Sequence, residues 1–180
     1  MKPTDTPDHI HTAVTPIPES VFVATGARVM GDVRLGDQCS IWYNAVVRGD
    51  VHHIQIGART NIQDGGVLHV TNQDACVVGD DVTVGHTANL HGCTIEDGCL
   101  IGMGAIVLSG AHVGRGSVIG AGAVIREGER IEPFSLVVGV PGRKVKTLPP
   151  ETLDTHREWA TKYVTLAQAH RAGVAQDSQP

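Results

Sequence analysis

Ile, Val or Leu returns at every sixth position along most of this chain, a period that neither an α-helix nor an ordinary strand produces. The series runs Ile17, Val23, Val29, Leu35, Ile41 and Val47, resumes as Ile56, Ile62 and Leu68, then as Val78, Val84 and Leu90, and continues as Ile95, Ile101, Val107, Val113, Ile119, Ile125, Ile131 and Val137. The fourth residue after an anchor is usually small, as at Val33, Cys39, Ala45, Thr60, Ala88, Cys99, Ala105, Ala111, Ser117 and Ala123, and Gly often follows the anchor directly. A hexapeptide β-helix wants both features. Three hexapeptides make one triangular coil of 18 residues. The anchors stack inside the prism, small residues relieve the corners, and Gly supplies backbone angles that a Cβ forbids. Twenty anchors give between six and seven coils, and at about 4.8 Å per rung a prism only ~30 Å tall.

The remaining sequence fits around this core. Residues 1–148 form the β-helix domain, the first 16 or so as an extended lead-in. Gly139-Val140-Pro141-Gly142 closes the prism, and Pro149-Pro150 opens a helix over 149–172 with a stripe of Leu153, His156, Trp159, Tyr163, Leu166 and His170. Residues 173–180 are expected to fray. The class is thus all-β, a parallel β-helix with a C-terminal α-helix. Only six of 180 residues are Phe, Trp or Tyr, so the core is thin and aliphatic. A net charge of -5 without a basic cluster gives no footprint for nucleic acid. No apolar leader and no 18-residue apolar run occur, which points to a cytoplasmic protein that does not enter the membrane. The four cysteines form no C-x2-C pair and are expected to stay thiols.

The period breaks twice, with three extra residues between Val47 and Ile56 and four between Leu68 and Val78, and loops are expected to leave the prism there. A one-residue shortening between Leu90 and Ile95 tightens a corner. Three histidines lie near these breaks at H-x16-H-x4-H: His69, His86 and His91. Assigning anchors to three faces in rotation puts Leu68 and Leu90 on one face and Val84 on another. His69 and His91 each follow their anchor by one residue, so they point outward from one face a coil apart, near enough to chelate one ion. His86 belongs to a different face and would have to pass a corner of its own prism, so it is expected to serve a neighbouring subunit, and closed symmetry makes a trimer the simplest assembly. Three neutral imidazoles suit zinc and leave a coordination position open, as catalytic sites do. His52 and His53 read as loop surface, and His9, His11, His112, His156 and His170 have no constellation.

Arg48-Gly49-Asp50, Asn61-Ile62-Gln63-Asp64, His69, Gly85-His86, Leu90-His91-Gly92-Cys93, Ile101-Gly102-Met103-Gly104-Ala105 and Gly139-Val140-Pro141-Gly142, in this order, resemble the gamma-class carbonic anhydrase family in its compact bacterial branch. The likeness runs from about Val21 to Tyr163. It implies a left-handed parallel β-helix, a homotrimer, and zinc (or iron or cobalt) bound by His69 and His91 of one chain with His86 of the next. The implied reaction is hydration of carbon dioxide to bicarbonate. On this resemblance Gln63 hydrogen-bonds the hydroxide nucleophile with Asn61 orienting it, while Arg48, Asp50 and Asp64 pair near the subunit boundary. One departure stands out. The glutamates that relay protons in the prototype are missing, since Val51 follows Asp50 and the second loop is Thr71-Asn72-Gln73-Asp74-Ala75; His52 or His53 could substitute. The other functions compatible with such a chain are metal-dependent hydrolysis of a small thioester, hexapeptide acyl transfer, and a non-enzymatic trimeric metal-binding module.

Overall fold

Rungs of two to four residues stack with their anchors in register, so the repeat closes into a three-sided prism. The computed structural model describes residues 9–177, in eighteen strands and one helix. On the first face Phe22–Val23, Ser40–Ile41, Asn61–Ile62, Thr83–Val84, Leu100–Ile101, Val118–Ile119 and Ser135–Val138 pair in parallel, and Arg143–Thr147 is added antiparallel at the end. The second face carries Val67–His69, Asn89–His91, Ile106–Val107 and Val124–Ile125, the third Cys76–Val78, Thr94–Ile95, His112–Val113 and Arg130–Ile131. Two longer strands, Arg28–Leu35 and Val46–Ile56, run across the corner between these two faces and join them into one sheet.

The anchors from Ile41 to Ile125 are at most 1 % exposed, and so are Cys39, Ala45, Thr60, Ala88, Cys99, Ala105, Ala111, Ser117 and Ala123 at the small positions. Ile17 departs from the series at 39 % exposed. Flanked by Pro16 and Pro18, which have no N–H to give a ladder, it precedes the first rung at Phe22. Val14 instead makes an antiparallel bridge to Met30 within the lead-in, of which residues 1–8 lie outside the described residues.

Glycine has two distinct uses. The residue three past most anchors takes positive φ at the corner, as Gly104 does at 67° and Thr87 at 58°. The glycine directly after an anchor is needed for space: a Cβ on Gly102 would lie 2.5 Å from the backbone N of Ala121 in the next coil.

The first interruption does not leave the prism as a loop. Its extra residues are absorbed into the continuous strand Val46–Ile56, whose register against Arg28–Leu35 shifts between Gly31 and Val33. The second forms a tight turn in which Thr71 Oγ1 accepts the Asp74 N–H at 2.8 Å and the Thr71 N–H donates to the Asp74 carbonyl at 3.0 Å.

The helix spans Thr152–Asp177, beginning after the proline pair and continuing through Gly173, where an added Cβ would meet no other part of the chain within 4 Å; residues 178–180 of the expected frayed tail lie outside the described residues. Trp159 does not belong to the buried stripe. It is 47 % exposed, and Ala160 and Ala167 are buried in its place. The stripe packs beside the first face, where Phe22, Trp42, Tyr43, Tyr163 and His170 form an aromatic cluster with Trp42 to His170 at 5.0 Å and Trp42 to Tyr163 at 5.4 Å. The inside of the prism contains no aromatic ring among the described residues, in keeping with the aliphatic core the composition predicts.

Candidate functional site

Side chains alternate across a strand, so the residue after an inward anchor faces out. His69 and His91 occupy that place after Leu68 and Leu90 and are direct register partners on adjacent rungs. Their rings meet with His69 Nδ1 3.1 Å from His91 Nε2. On its far side His69 Nε2 lies 2.9 Å from Asp50 Oδ1, and the other Asp50 oxygen takes a hydrogen bond from Arg48. His91 Nδ1 lies 2.8 Å from Ser109 Oγ. Burial opposes ionisation of Asp50, but the His69 hydrogen bond and the Arg48 charge outweigh it and hold the carboxyl below its usual range. Burial, then the adjacent His69, disfavours protonated His91 and moves its pKa down. Both effects suit a cation, favouring a carboxylate behind His69 and a neutral imidazole at His91.

His86 stands apart from that pair. It lies two residues past Val84 on the first face, half exposed, with Nδ1 2.8 Å from Asp64 Oδ2. Asp64 also accepts the Tyr43 N–H at 3.2 Å. The sequence grouped Asp64 with Arg48 and Asp50, whereas within this chain Arg48 and Asp50 pair with each other and Asp64 takes His86. The two carboxylates are carried by different faces, so each meets the histidine on its own side. Among the described residues of a single chain no three His, Cys, Asp or Glu side chains converge to hold a metal ion. Asn61 and Gln63 are buried; Gln63 Nε2 donates to Asn61 Oδ1 at 3.1 Å, and Asn61 Nδ2 donates to Thr83 Oγ1 at 3.0 Å.

His52 and His53 pair with each other, His52 Nδ1 accepting the His53 N–H at 2.8 Å with the rings 4.8 Å apart. Three other histidines have structural partners: His112 with Glu96 at 2.7 Å, His156 with the Gly98 carbonyl at 2.6 Å, and His170 with the Tyr43 hydroxyl at 2.9 Å. All four cysteines are free and buried, and burial pushes the Cys39 and Cys99 thiols up to about 12. Ser109 and Thr83 are the contacts that sequence reasoning passed over. Ser109 lies 18 residues after His91, one more than the shortened coil that carries Leu90 to Val107, and Thr83 lies 22 after Asn61, one coil plus the four-residue insertion. Carrying the coil count from Asn61 finds Thr83, its register partner, whereas from His91 it reaches Leu108, one residue short of Ser109.

The donors fit a divalent ion of zinc's type. Two imidazole nitrogens face one another, and each ring is fixed through its other nitrogen, as ligating histidines usually are.

Residues 92–127 match the bacterial transferase hexapeptide (six repeats) family. A protein of Methanocaldococcus jannaschii named "Probable carbonic anhydrase" is 51% identical over 152 residues, 84% of this chain and 96% of that protein. Gamma carbonic anhydrase 1, mitochondrial, of Arabidopsis thaliana is 42% identical over 87% of this chain, which spans 59% of the plant protein. This chain belongs to the gamma-class carbonic anhydrase family. Among solved structures the gamma-class prism resembles a hexapeptide transferase family protein from Anaplasma phagocytophilum, with a TM-score of 0.80 and 36% identity over 84% of this chain and 90% of that one. No helix among the described residues of this gamma-class chain is long and apolar enough to cross a membrane.

Proposed function

We propose that the chain hydrates carbon dioxide to bicarbonate at a zinc ion, with iron or cobalt as the other ions that suit the donors, held by His69 and His91 of one subunit and His86 of a neighbour in a homotrimer. The observation that carries this reading is the division of the three histidines between two faces. His69 and His91 meet on adjacent rungs with nitrogens 3.1 Å apart, while His86, on the next face, turns to Asp64. Two imidazoles leave a tetrahedral ion half liganded, and a symmetry-related copy is the simplest source of a third. The names of the relatives support the reaction, and the spacing of the histidines supports the assembly.

A divalent ion bound there supplies a water of near-neutral pKa, about 7 in such sites, and polarises the substrate. This chain's own residues do the rest. Asp50 accepts from His69 and is itself held by Arg48, which orients the first ligand. Gln63 projects from the rung one coil before that of His86, its amide fixed by Asn61, and Asn61 is fixed in turn by Thr83. A side-chain amide held in this way can present a donor or acceptor to the attacking oxygen without losing rotamer freedom at the moment of reaction. Arg48 adds a positive charge beside the ligand pair that favours the bicarbonate anion.

Stopped-flow hydration assays on chains loaded with zinc, iron or cobalt, joined to metal analysis and sedimentation, test the reading. It expects one ion per subunit, a trimer, and hydration that disappears with the ion. A trimer that holds the metal and leaves carbon dioxide untouched sinks the reaction. The resemblance to a solved hexapeptide transferase family protein favours acyl transfer as a second reading. Turnover of acetyl-coenzyme A that persists after His69→Ala would select it, since that chemistry does not need the three-histidine chelate.

A further inference from the structure

We infer that Ser109 is a positioning residue of the metal site, the group that sets the His91 ring and accepts a hydrogen bond from its Nδ1–H when Nε2 serves as a ligand. This rests on the reading of His69, His86 and His91 as ligands. Each of the three imidazoles has a hydrogen-bond partner on one ring nitrogen, and the partners differ in kind. His69 has Asp50 at 2.9 Å and His86 has Asp64 at 2.8 Å, both carboxylates, whereas His91 has the Ser109 hydroxyl at 2.8 Å. A carboxylate only accepts; a hydroxyl can donate or accept.

His91 is the ring for which that freedom matters. Asp50 accepts a hydrogen bond from His69 Nε2–H, and in that tautomer His69 Nδ1 carries a lone pair aimed at His91 Nε2, 3.1 Å away. In this hydrogen-bonded arrangement His91 donates from Nε2, so its Nδ1 is the acceptor and the Ser109 hydroxyl donates to it. Coordination of a cation by His91 Nε2 requires the other tautomer, with the proton on Nδ1 and Ser109 Oγ accepting. Only a group that can reverse its role keeps the ring fixed in both arrangements, and among the three partners only Ser109 can do so. Its place in the fold is suited to this. Ser109 lies two residues past the anchor Val107, just beyond the rung stacked on that of His91.

The test uses the full chain stripped of metal with a chelator, with zinc affinity measured by competition against a chromophoric chelator. Ser109→Ala should weaken zinc binding about 10–100-fold, the usual effect of losing a ligand's outer partner. Ser109→Thr, which keeps the hydroxyl, should restore most of it. Ala121 occupies the same repeat position two residues past Ile119, so alanine is compatible with the prism, and the urea midpoint of the stripped Ser109→Ala protein should match that of the parent. Nitrogen-15 spectra of the zinc-loaded parent should place the His91 proton on Nδ1. Parental affinity in Ser109→Ala, or failure of threonine to rescue it, overturns the inference. If the parent binds zinc through the three histidines without hydrating carbon dioxide, the catalytic reading falls while the role of Ser109 is still decided by the affinities. A parent that takes up no zinc overturns both.

Discussion

Gln63 donates to Asn61 and Asn61 to the Thr83 hydroxyl in a fixed line, and every member is at most 7 % exposed. Nothing in this line touches His69 or His91, so Gln63→Ala should lower turnover much more than zinc affinity. The loss corresponds to one hydrogen bond to a charged group, about 1.5–3 kcal/mol or roughly 10–150-fold in kcat/KM. Loss of zinc with unchanged turnover per remaining ion would show that Gln63 acts on the ligands instead. The His69–His91 juxtaposition was legible in the sequence because its geometry follows from counting: an outward residue one past its anchor, repeated a coil later, must return to the same place. Partner choice was less legible. Within one chain Asp64 turns to His86 and Asp50 to Arg48, a choice set by side-chain reach around a corner that the repeat does not encode.

Among elements, the rung and its corner respond to different changes. Gly122 has φ of +67° and open space around it, so Gly122→Ala meets only the backbone preference, about 1–2 kcal/mol. Gly102→Ala drives a methyl against the backbone of the next coil, with 2.5 Å to Ala121 N, and its cost should reach about 3 kcal/mol because a rung must shift. Urea midpoints of the two variants should fall in that order; the reverse order contradicts the separation of the two glycine roles. Anchors and small positions were plain in the sequence, since both are set by the interior of a narrow prism. The two glycine roles were merged there, because the letter is the same whether space or backbone angle demands it.

The third face carries a pH response. The His112 hydrogen bond, then the Arg115 N–H, holds the Glu96 carboxyl below its ordinary value of 4.5. A lowered folded-state pKa contributes stability above the unfolded value, and that contribution is lost as pH falls through the folded one. Stability should therefore decline on acidification below about pH 4.5, and less steeply in Glu96→Gln. Parallel declines of urea midpoint with pH in the two proteins would count against this pairing.

For the whole molecule, the decisive question is whether one chain can complete its own site. A His86→Ala chain still carries His69 and His91, and a His69→Ala chain still carries His86. In a ring of three, a neighbour pair in which the first supplies two ligands and the second supplies one rebuilds a complete site. Co-expression should return zinc and hydration that neither mutant homotrimer has, at no more than one site in three by the geometry of a closed ring. Mixed trimers seen by native mass spectrometry with no recovered zinc would place all three ligands in one chain.

Parallel rungs offer no natural last member, because the top of one prism is a template for the bottom of another. The reversed strand Arg143–Thr147 answers this on the first face. It pairs antiparallel with Ser135–Val138, is exposed along its whole length, and carries Arg143, Lys144 and Lys146. A second copy arriving end-on meets a backbone running the wrong way and a row of like charges. The molecule thereby fixes its own length, and a concentrated solution of it should stay a population of discrete particles where an uncapped stack of the same coils would polymerise into fibres.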